Sequence, residues 1–79
     1  MKDYTFSITA READGKLHAY NVTDERRGYR KSWYKTEESA RKSLNWWIYW
    51  CESNGRTEIQ WTLYSKIKGI GIIDTNIKG

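Results

Sequence analysis

The feature that most constrains the fold of this chain is one stretch whose helix start and helix end are both marked in the sequence. Thr36 is suited to cap a helix, because its hydroxyl accepts a hydrogen bond from a backbone N–H that the first turn leaves unpaired. Glu37 and Glu38 follow where the helix dipole favours anions. Asn54-Gly55 is typical of a left-handed helix end. We therefore predict one long helix between these two signals.

One side of the predicted helix is apolar and has to be buried. At 100° per residue, five residues share a stripe: Ala40, Leu44, Trp47, Ile48 and Cys51. Such a stripe is stable only when it packs on another apolar surface. The flanking segments offer one, because their apolar residues alternate with a period of two, as in half-buried strands.

These alternations predict three strands before the helix and one after it. The strands are expected at residues 4–10, 17–23, 29–34 and 58–67. Asp14-Gly15 indicates a hairpin turn between the first two strands, and the polar loop 24–28 ends in a glycine. The inward face of the second strand stays open: it is either Leu17 and Ala19, or Tyr20 and Val22.

The expected fold is α+β, with the order β-β-β-α-β: a small, single-layer, mostly antiparallel sheet of three to four strands packed by one helix. We expect the strand after the helix to run parallel to the third and first strands and to lie beside the first, giving the order 4-1-2-3. The opposite edge is the alternative. The tail at 69–73 either extends an edge strand or packs as a loop. Residues 1–79 are expected to form a single domain.

Composition excludes several classes of protein. The single cysteine rules out an intramolecular disulfide. No run approaches ~18 apolar residues, so we expect no membrane span. The first residues lack the apolar core of a signal peptide. We therefore expect a cytoplasmic protein.

Catalytic and metal-binding signatures are missing from the sequence. His18 lies within a predicted strand and is expected at the surface. Cys51 lies on the buried helix stripe, where a small apolar side chain suffices. A closed zinc site needs four ligands, and one cysteine with one histidine is too few. We expect no enzyme activity, no cofactor and no metal.

The positive charge is concentrated in one short stretch. The net charge is +4, whereas residues 26–42 alone carry seven basic and two acidic residues. Within residues 26–35, cations suited to phosphates interleave with rings suited to stacking or packing. The predicted nucleic-acid-binding residues are Arg26, Arg27, Tyr29, Arg30, Lys31, Tyr34 and Lys35. The alternative is an edge hairpin that lysine and arginine protect from aggregation, with Trp33 in the core.

The helix also carries large aromatic residues away from its apolar stripe. Trp46 and Tyr49 point roughly 140–160° from the centre of the stripe, and Trp50 lies at its flank. Three explanations stay open. The isoleucine-rich tail covers these rings, a homodimer buries them, or they bind another protein, since tryptophan and tyrosine are favoured interface anchors.

Residues 28–44, with the sequence GYRKSWYKTEESARKSL, combine a basic, aromatic strand with a capped helix start. This stretch resembles the last strand and the start of the helix in the arm-binding domains at the N-termini of phage integrases. The resemblance covers residues 4–50. Domains of that family have three antiparallel strands followed by one helix, read DNA with the sheet, and have no strand after the helix. The resemblance implies that Arg26, Arg27, Arg30 and Lys31 face DNA.

The leading functional hypothesis is a small non-enzymatic binding module of phage or mobile-element type that binds nucleic acid through residues 26–35. The alternative is an inhibitor or adaptor that acts on host machinery, as anti-CRISPR proteins do. In that alternative, the partner or dimer interface consists of Trp46, Tyr49 and Trp50.

Overall fold

The computed structural model describes residues 1–69 and 71–78, in which one helix packs against one face of a four-stranded sheet. The elements are β1 (Tyr4–Arg11), β2 (Leu17–Tyr20), α1 (Glu37–Ser53), β3 (Thr57–Ser65) and β4 (Gly71–Thr75). The strands lie in the order β2-β1-β3-β4, and every neighbouring pair is antiparallel. The predicted α+β fold, a small sheet packed by one helix, is confirmed.

Strand β1 lies inside the sheet and supplies much of the core. Phe6, Ile8 and Ala10 are buried beneath the helix, because alternate side chains of a strand point to the same face. Phe6 lies opposite Leu63 of the neighbouring strand β3, and Leu63 is also buried. Ile8 lies opposite Tyr20 of the neighbouring strand β2. Tyr20 therefore belongs to the helix-facing side, which answers the question that the sequence left open for the second strand.

The helix begins and ends where its capping residues predict. Thr36 Oγ1 accepts a hydrogen bond from the backbone N–H of Ser39 at 3.1 Å. At the other end Gly55 has a φ of 72°, a left-handed conformation that glycine adopts without strain. The N–H of Arg56 then donates to the carbonyl of Cys51 at 2.9 Å. This bond is the mark of a Schellman helix end.

The predicted apolar stripe is the surface by which the helix packs on the sheet. Ala40, Leu44 and Cys51 are buried, while Trp47 and Ile48 are half-buried against the same core. Full burial of a large apolar side chain is worth roughly 1.5–3 kcal/mol. The contact of this stripe with β1 and β3 is therefore a main source of stability.

The third strand predicted at residues 29–34 does not form, so this prediction was wrong. The segment pairs only at isolated bridges, which join Asp24 to Tyr29 and Tyr4 to Tyr34. Ser32 shows the physical reason. Its carbonyl accepts a hydrogen bond from Thr5 Oγ1 at 2.7 Å, and its N–H donates to Asn21 Oδ1 at 2.8 Å. Side chains thus take the backbone groups that a strand ladder would use.

The strand after the helix lies beside β1, as predicted, but its direction was predicted wrongly. β3 runs antiparallel to β1, whereas a parallel strand was expected. That expectation depended on three strands before the helix. Because β2 is the last strand before the helix, β3 returns parallel to β2 and therefore antiparallel to β1. The observed order is β-β-α-β-β rather than β-β-β-α-β.

The C-terminal tail takes the first of its two expected forms, an edge strand. Residues of β4 pair with β3 between Thr62 and Ser65. Ile70, in the same predicted tail, lies outside the described residues. In the part of the chain that the structure describes, no helix has both the length and the apolar character needed to cross a lipid bilayer.

Candidate nucleic-acid interface

Residues 21–35, which we call the basic loop, connect β2 to the helix and fold back on themselves. Asp24 and Tyr29 exchange two backbone hydrogen bonds, both of 2.9 Å, which close a tip of four residues. Gly28 ends this tip with a φ of 76°, so the turn expected at this glycine forms. The tip presents Arg26 and Arg27 to solvent.

The side chain of Asn21 fixes the base of the basic loop to the sheet. Asn21 has a φ of 57°, a left-handed conformation that asparagine tolerates better than most residues. Its Nδ2 donates to the Phe6 carbonyl at 2.7 Å, while its Oδ1 accepts from Ser32 N at 2.8 Å. One carboxamide therefore joins both ends of the loop to β1. The loop is irregular but held in place, which is what a preorganised binding surface needs.

The five basic residues predicted to bind phosphate differ in their surroundings. Arg26, Arg30 and Lys35 are exposed and have no ion-pair partner among residues 1–69 and 71–78. Arg27 is exposed too, but its Nε lies 3.8 Å from a carboxylate oxygen of Asp24. Lys31 is half-buried, with its ammonium 5.6 Å from the centre of the Tyr64 ring.

Most acidic side chains with ion pairs neutralise cations outside the basic loop. The pairs join Glu58 to Arg11, Glu12 to Arg56, Glu37 and Asp74 to Arg41, and Glu38 to Lys42. Hydrogen bonds from the guanidinium of Arg41 to Glu37 and Asp74 raise the pKa of Arg41. Within the sequence of the basic loop itself, the acidic residues are Asp24 and Glu25.

Two open grooves, each of about 720 Å³, share Arg30, Lys31 and Trp33 as lining residues. The first groove is completed by Thr23, Glu25, Gly28 and Tyr29. The second groove is completed by Lys2, Ser32, Tyr34, Lys35 and Ser39. Among the described residues, four cations and no carboxylate line the second groove, so its electrostatic potential favours anions. Lys2 was missed by sequence reasoning because nothing local in the sequence links it to the basic loop.

The three aromatic residues of this stretch have different environments. Tyr29 keeps 61% of its surface exposed and lines the first groove. Trp33 is half-buried and lines both grooves, and the Lys66 ammonium lies 4.0 Å from its ring centre. Tyr34 stacks on Phe6, with ring centres 6.2 Å apart, and so supports the core. Because Trp33 lines both grooves, it belongs to the candidate site. In the sequence, the one indication of such a role is that Trp33 alternates with basic residues.

The helix aromatics divide into exposed and packed rings. Trp46 and Tyr49 remain 57% and 65% exposed, and the described tail pairs along β3 without covering them. Trp50 is half-buried, because its ring packs edge-on against Tyr20 and Trp47 at 5.6 and 5.7 Å. Trp50 therefore contributes to packing between the helix and β2. Trp46 and Tyr49 stay mostly exposed, although the Trp46 ring also meets Trp47 edge-on at 5.0 Å.

The residues with catalytic or metal-binding chemistry lie apart from the basic loop. Burial raises the pKa of the Cys51 thiol, so the thiol ionises less readily to the reactive thiolate. His18 Nε2 lies 3.2 Å from Glu12, and Asp14 completes a group whose ligand atoms fall within 4.8 Å of one another. Arg56 already contacts Glu12 at 3.0 Å. A metal cation would therefore compete with an existing ion pair.

Comparison of the chain with models of protein families, with curated proteins and with solved structures gives no match.

Proposed function

We propose that this protein binds nucleic acid through the basic loop. The observation that carries the proposal is a cluster of unpaired cations. Arg26, Arg30 and Lys35 are exposed and unpaired within the described residues, whereas the arginines outside the loop, Arg11, Arg41 and Arg56, are all paired with carboxylates. Grooves that combine such cations with accessible rings suit a polymer of phosphates and bases.

In this proposal, the cations and the rings of the basic loop have separate roles. Arg30 and Lys35 bind phosphates in the second groove, while Arg26 adds attraction at the tip. Tyr29 offers its exposed ring to a base or a sugar. Glu25 lines the first groove and opposes phosphate there, so the second groove is the favoured path for the backbone.

The affinity of the wild-type protein for nucleic acid is expected to fall steeply with salt. Three or four phosphate contacts release as many counterions, which gives a slope of about −3 for log K against log salt concentration. Between about 50 and 200 mM salt, the affinity then drops on the order of 60-fold. Fluorescence anisotropy with labelled oligonucleotides measures this slope. A slope near zero, or no binding at low salt, would contradict the proposal.

A second candidate function is protein binding through the exposed helix aromatics, either in a homodimer or as an inhibitor or adaptor. The observation in its favour is the exposure of Trp46 and Tyr49, which leaves two large rings in water on one helix. These rings lie outside the residues that line the two grooves of the basic loop. The two functions therefore do not exclude each other.

The double variant Trp46→Ala, Tyr49→Ala tests this second candidate. We expect it to fold normally, with the free energy of unfolding lowered by no more than about 1 kcal/mol, because exposed side chains contribute little. If the rings bind a protein, partners captured from host lysate after nuclease treatment, or dimers detected by sedimentation, disappear in the variant. Association that persists unchanged in this variant would exclude the helix rings as its cause.

A further inference from the structure

Resting on the proposed nucleic-acid function, we infer that the ligand is single-stranded. One of its unpaired bases stacks on Tyr29, and its phosphates follow Lys2, Arg30, Lys31 and Lys35. Three observations carry this inference: the absence, among the described residues, of a basic helix or strand pair suited to a duplex groove, the shape of the two grooves, and the distribution of charge between them.

Apart from the short tip closed by Asp24 and Tyr29, the described residues offer no basic helix or strand pair with the shape needed to enter duplex DNA. The major groove accepts an α-helix or a two-stranded ribbon. Residues 29–34 do not form the predicted strand, so the cations lie on an irregular loop instead. The exposed side of α1 carries Trp46 and Tyr49 rather than a row of cations. A single strand requires no such regular element, because it bends to follow a surface.

The grooves fit a flexible strand with exposed bases. Each groove has a volume of about 720 Å³, which lies within the range of sites that hold small organic molecules. Both grooves are open, and they share Trp33, so a nucleic-acid strand can pass from one groove to the other. Tyr29 lines the first groove and keeps 61% of its surface exposed. Bases within a duplex are stacked on one another, whereas a base of a single strand is free to stack on this ring.

The charge pattern separates the path of the phosphates from the site of the bases. The second groove has Lys2, Arg30, Lys31 and Lys35 and no carboxylate among its lining residues. The first groove shares Arg30 and Lys31 but also has Glu25 and Tyr29 in its lining, so it attracts a phosphate less strongly than the second groove and offers a ring to a base. A strand with its backbone in the second groove and one base on Tyr29 satisfies both surfaces.

The experiment compares affinities for three labelled probes at one salt concentration: oligothymidylate, oligouridylate and a hairpin duplex, each of about twelve nucleotides. We expect at least roughly tenfold tighter binding of the wild-type protein to the single strands than to the duplex. The deoxyribose and ribose arms show whether the protein distinguishes DNA from RNA. Preferential binding of either single strand supports the inference.

Variants at Tyr29 separate stacking from charge. Tyr29→Leu keeps an apolar side chain but loses the ring, and we expect roughly tenfold weaker single-strand binding with duplex binding unchanged. Tyr29→Phe keeps the ring and serves as the matched control, with affinity near that of the wild type. Because Tyr29 is exposed, neither variant is expected to alter folding, which circular dichroism checks.

The outcomes distinguish this inference from the proposed function. Equal or tighter binding to the duplex, with Tyr29→Leu indistinguishable from wild type, would overturn the single-strand inference and leave nucleic-acid binding in place. No binding to any probe at low salt would overturn both.

Discussion

Replacing Arg26, Arg30 and Lys35 with glutamate is expected to lower the affinity for nucleic acid by at least about 100-fold at low salt. Each substitution removes an attraction to phosphate and adds a repulsion at the same place. These cations have no ion-pair partner within the described residues, so their loss leaves no carboxylate newly unpaired. Fluorescence anisotropy measures the affinity, and thermal unfolding confirms that the fold is retained.

A matched control separates the effect of position from the effect of net charge. Lys16, Lys68 and Lys78 are exposed residues that line neither groove of the basic loop and have no ion-pair partner within the described residues. Their replacement by glutamate also changes the net charge from +4 to −2. We expect this control to weaken binding several-fold through the long-range field alone. An equal loss of affinity in both triple variants would mean that the basic loop is not the binding site.

Replacing Leu44 with alanine is expected to lower the free energy of unfolding by about 3–4 kcal/mol. Leu44 is 2% exposed and lies on the helix stripe that packs against Phe6, Ile8 and Leu63. The truncation removes apolar contacts and leaves a cavity between the helix and the sheet. A chain of 79 residues has a thin stability margin. Urea unfolding followed by circular dichroism measures the change.

Ile72→Ala in the edge strand β4 is the matched control for this stability prediction. Ile72 keeps 65% of its surface exposed, so we expect the variant to cost less than about 1 kcal/mol. If Leu44→Ala costs no more than Ile72→Ala, the helix stripe is not the main stabilising contact, and the description of the core is wrong.

The helix and the strands on which it packs are predictable from local patterns in the sequence. Thr36 and Gly55 mark the helix ends through their own hydroxyl and backbone chemistry, and no distant residue is needed to recognise them. The alternation of Phe6, Ile8 and Ala10 likewise reports one buried face directly. Elements of this kind are predictable because the residues that define them lie within a few positions of each other.

The failure at residues 29–34 has a long-range cause. Their alternation of basic and aromatic residues satisfies a strand pattern, but the backbone of Ser32 bonds to the side chains of Thr5 and Asn21. Contacts across eleven and twenty-seven positions are not visible in a local pattern. The reversed direction of β3 follows from this one error, because the loss of a strand changes where the helix crossover starts.

The candidate site was predictable in its charge and not in its shape. The excess of arginine and lysine in residues 26–35 is a property of composition, so the sequence alone indicates it. The grooves depend on the folded loop, which places Lys2 and Lys35 in the lining of one groove and Trp33 in the linings of both. The packing of Tyr34 on Phe6 also depends on the fold. Neighbours of this kind are set by tertiary structure.

The most direct test of nucleic-acid binding at the basic loop is a chemical-shift titration of the isotope-labelled wild-type protein with a short oligothymidylate. We expect salt-sensitive shifts of the backbone amides of residues 26–35 and of Lys2, with little change at Trp46 and Tyr49. Shifts confined to the helix aromatics, or no shifts at low salt, would contradict binding at the basic loop.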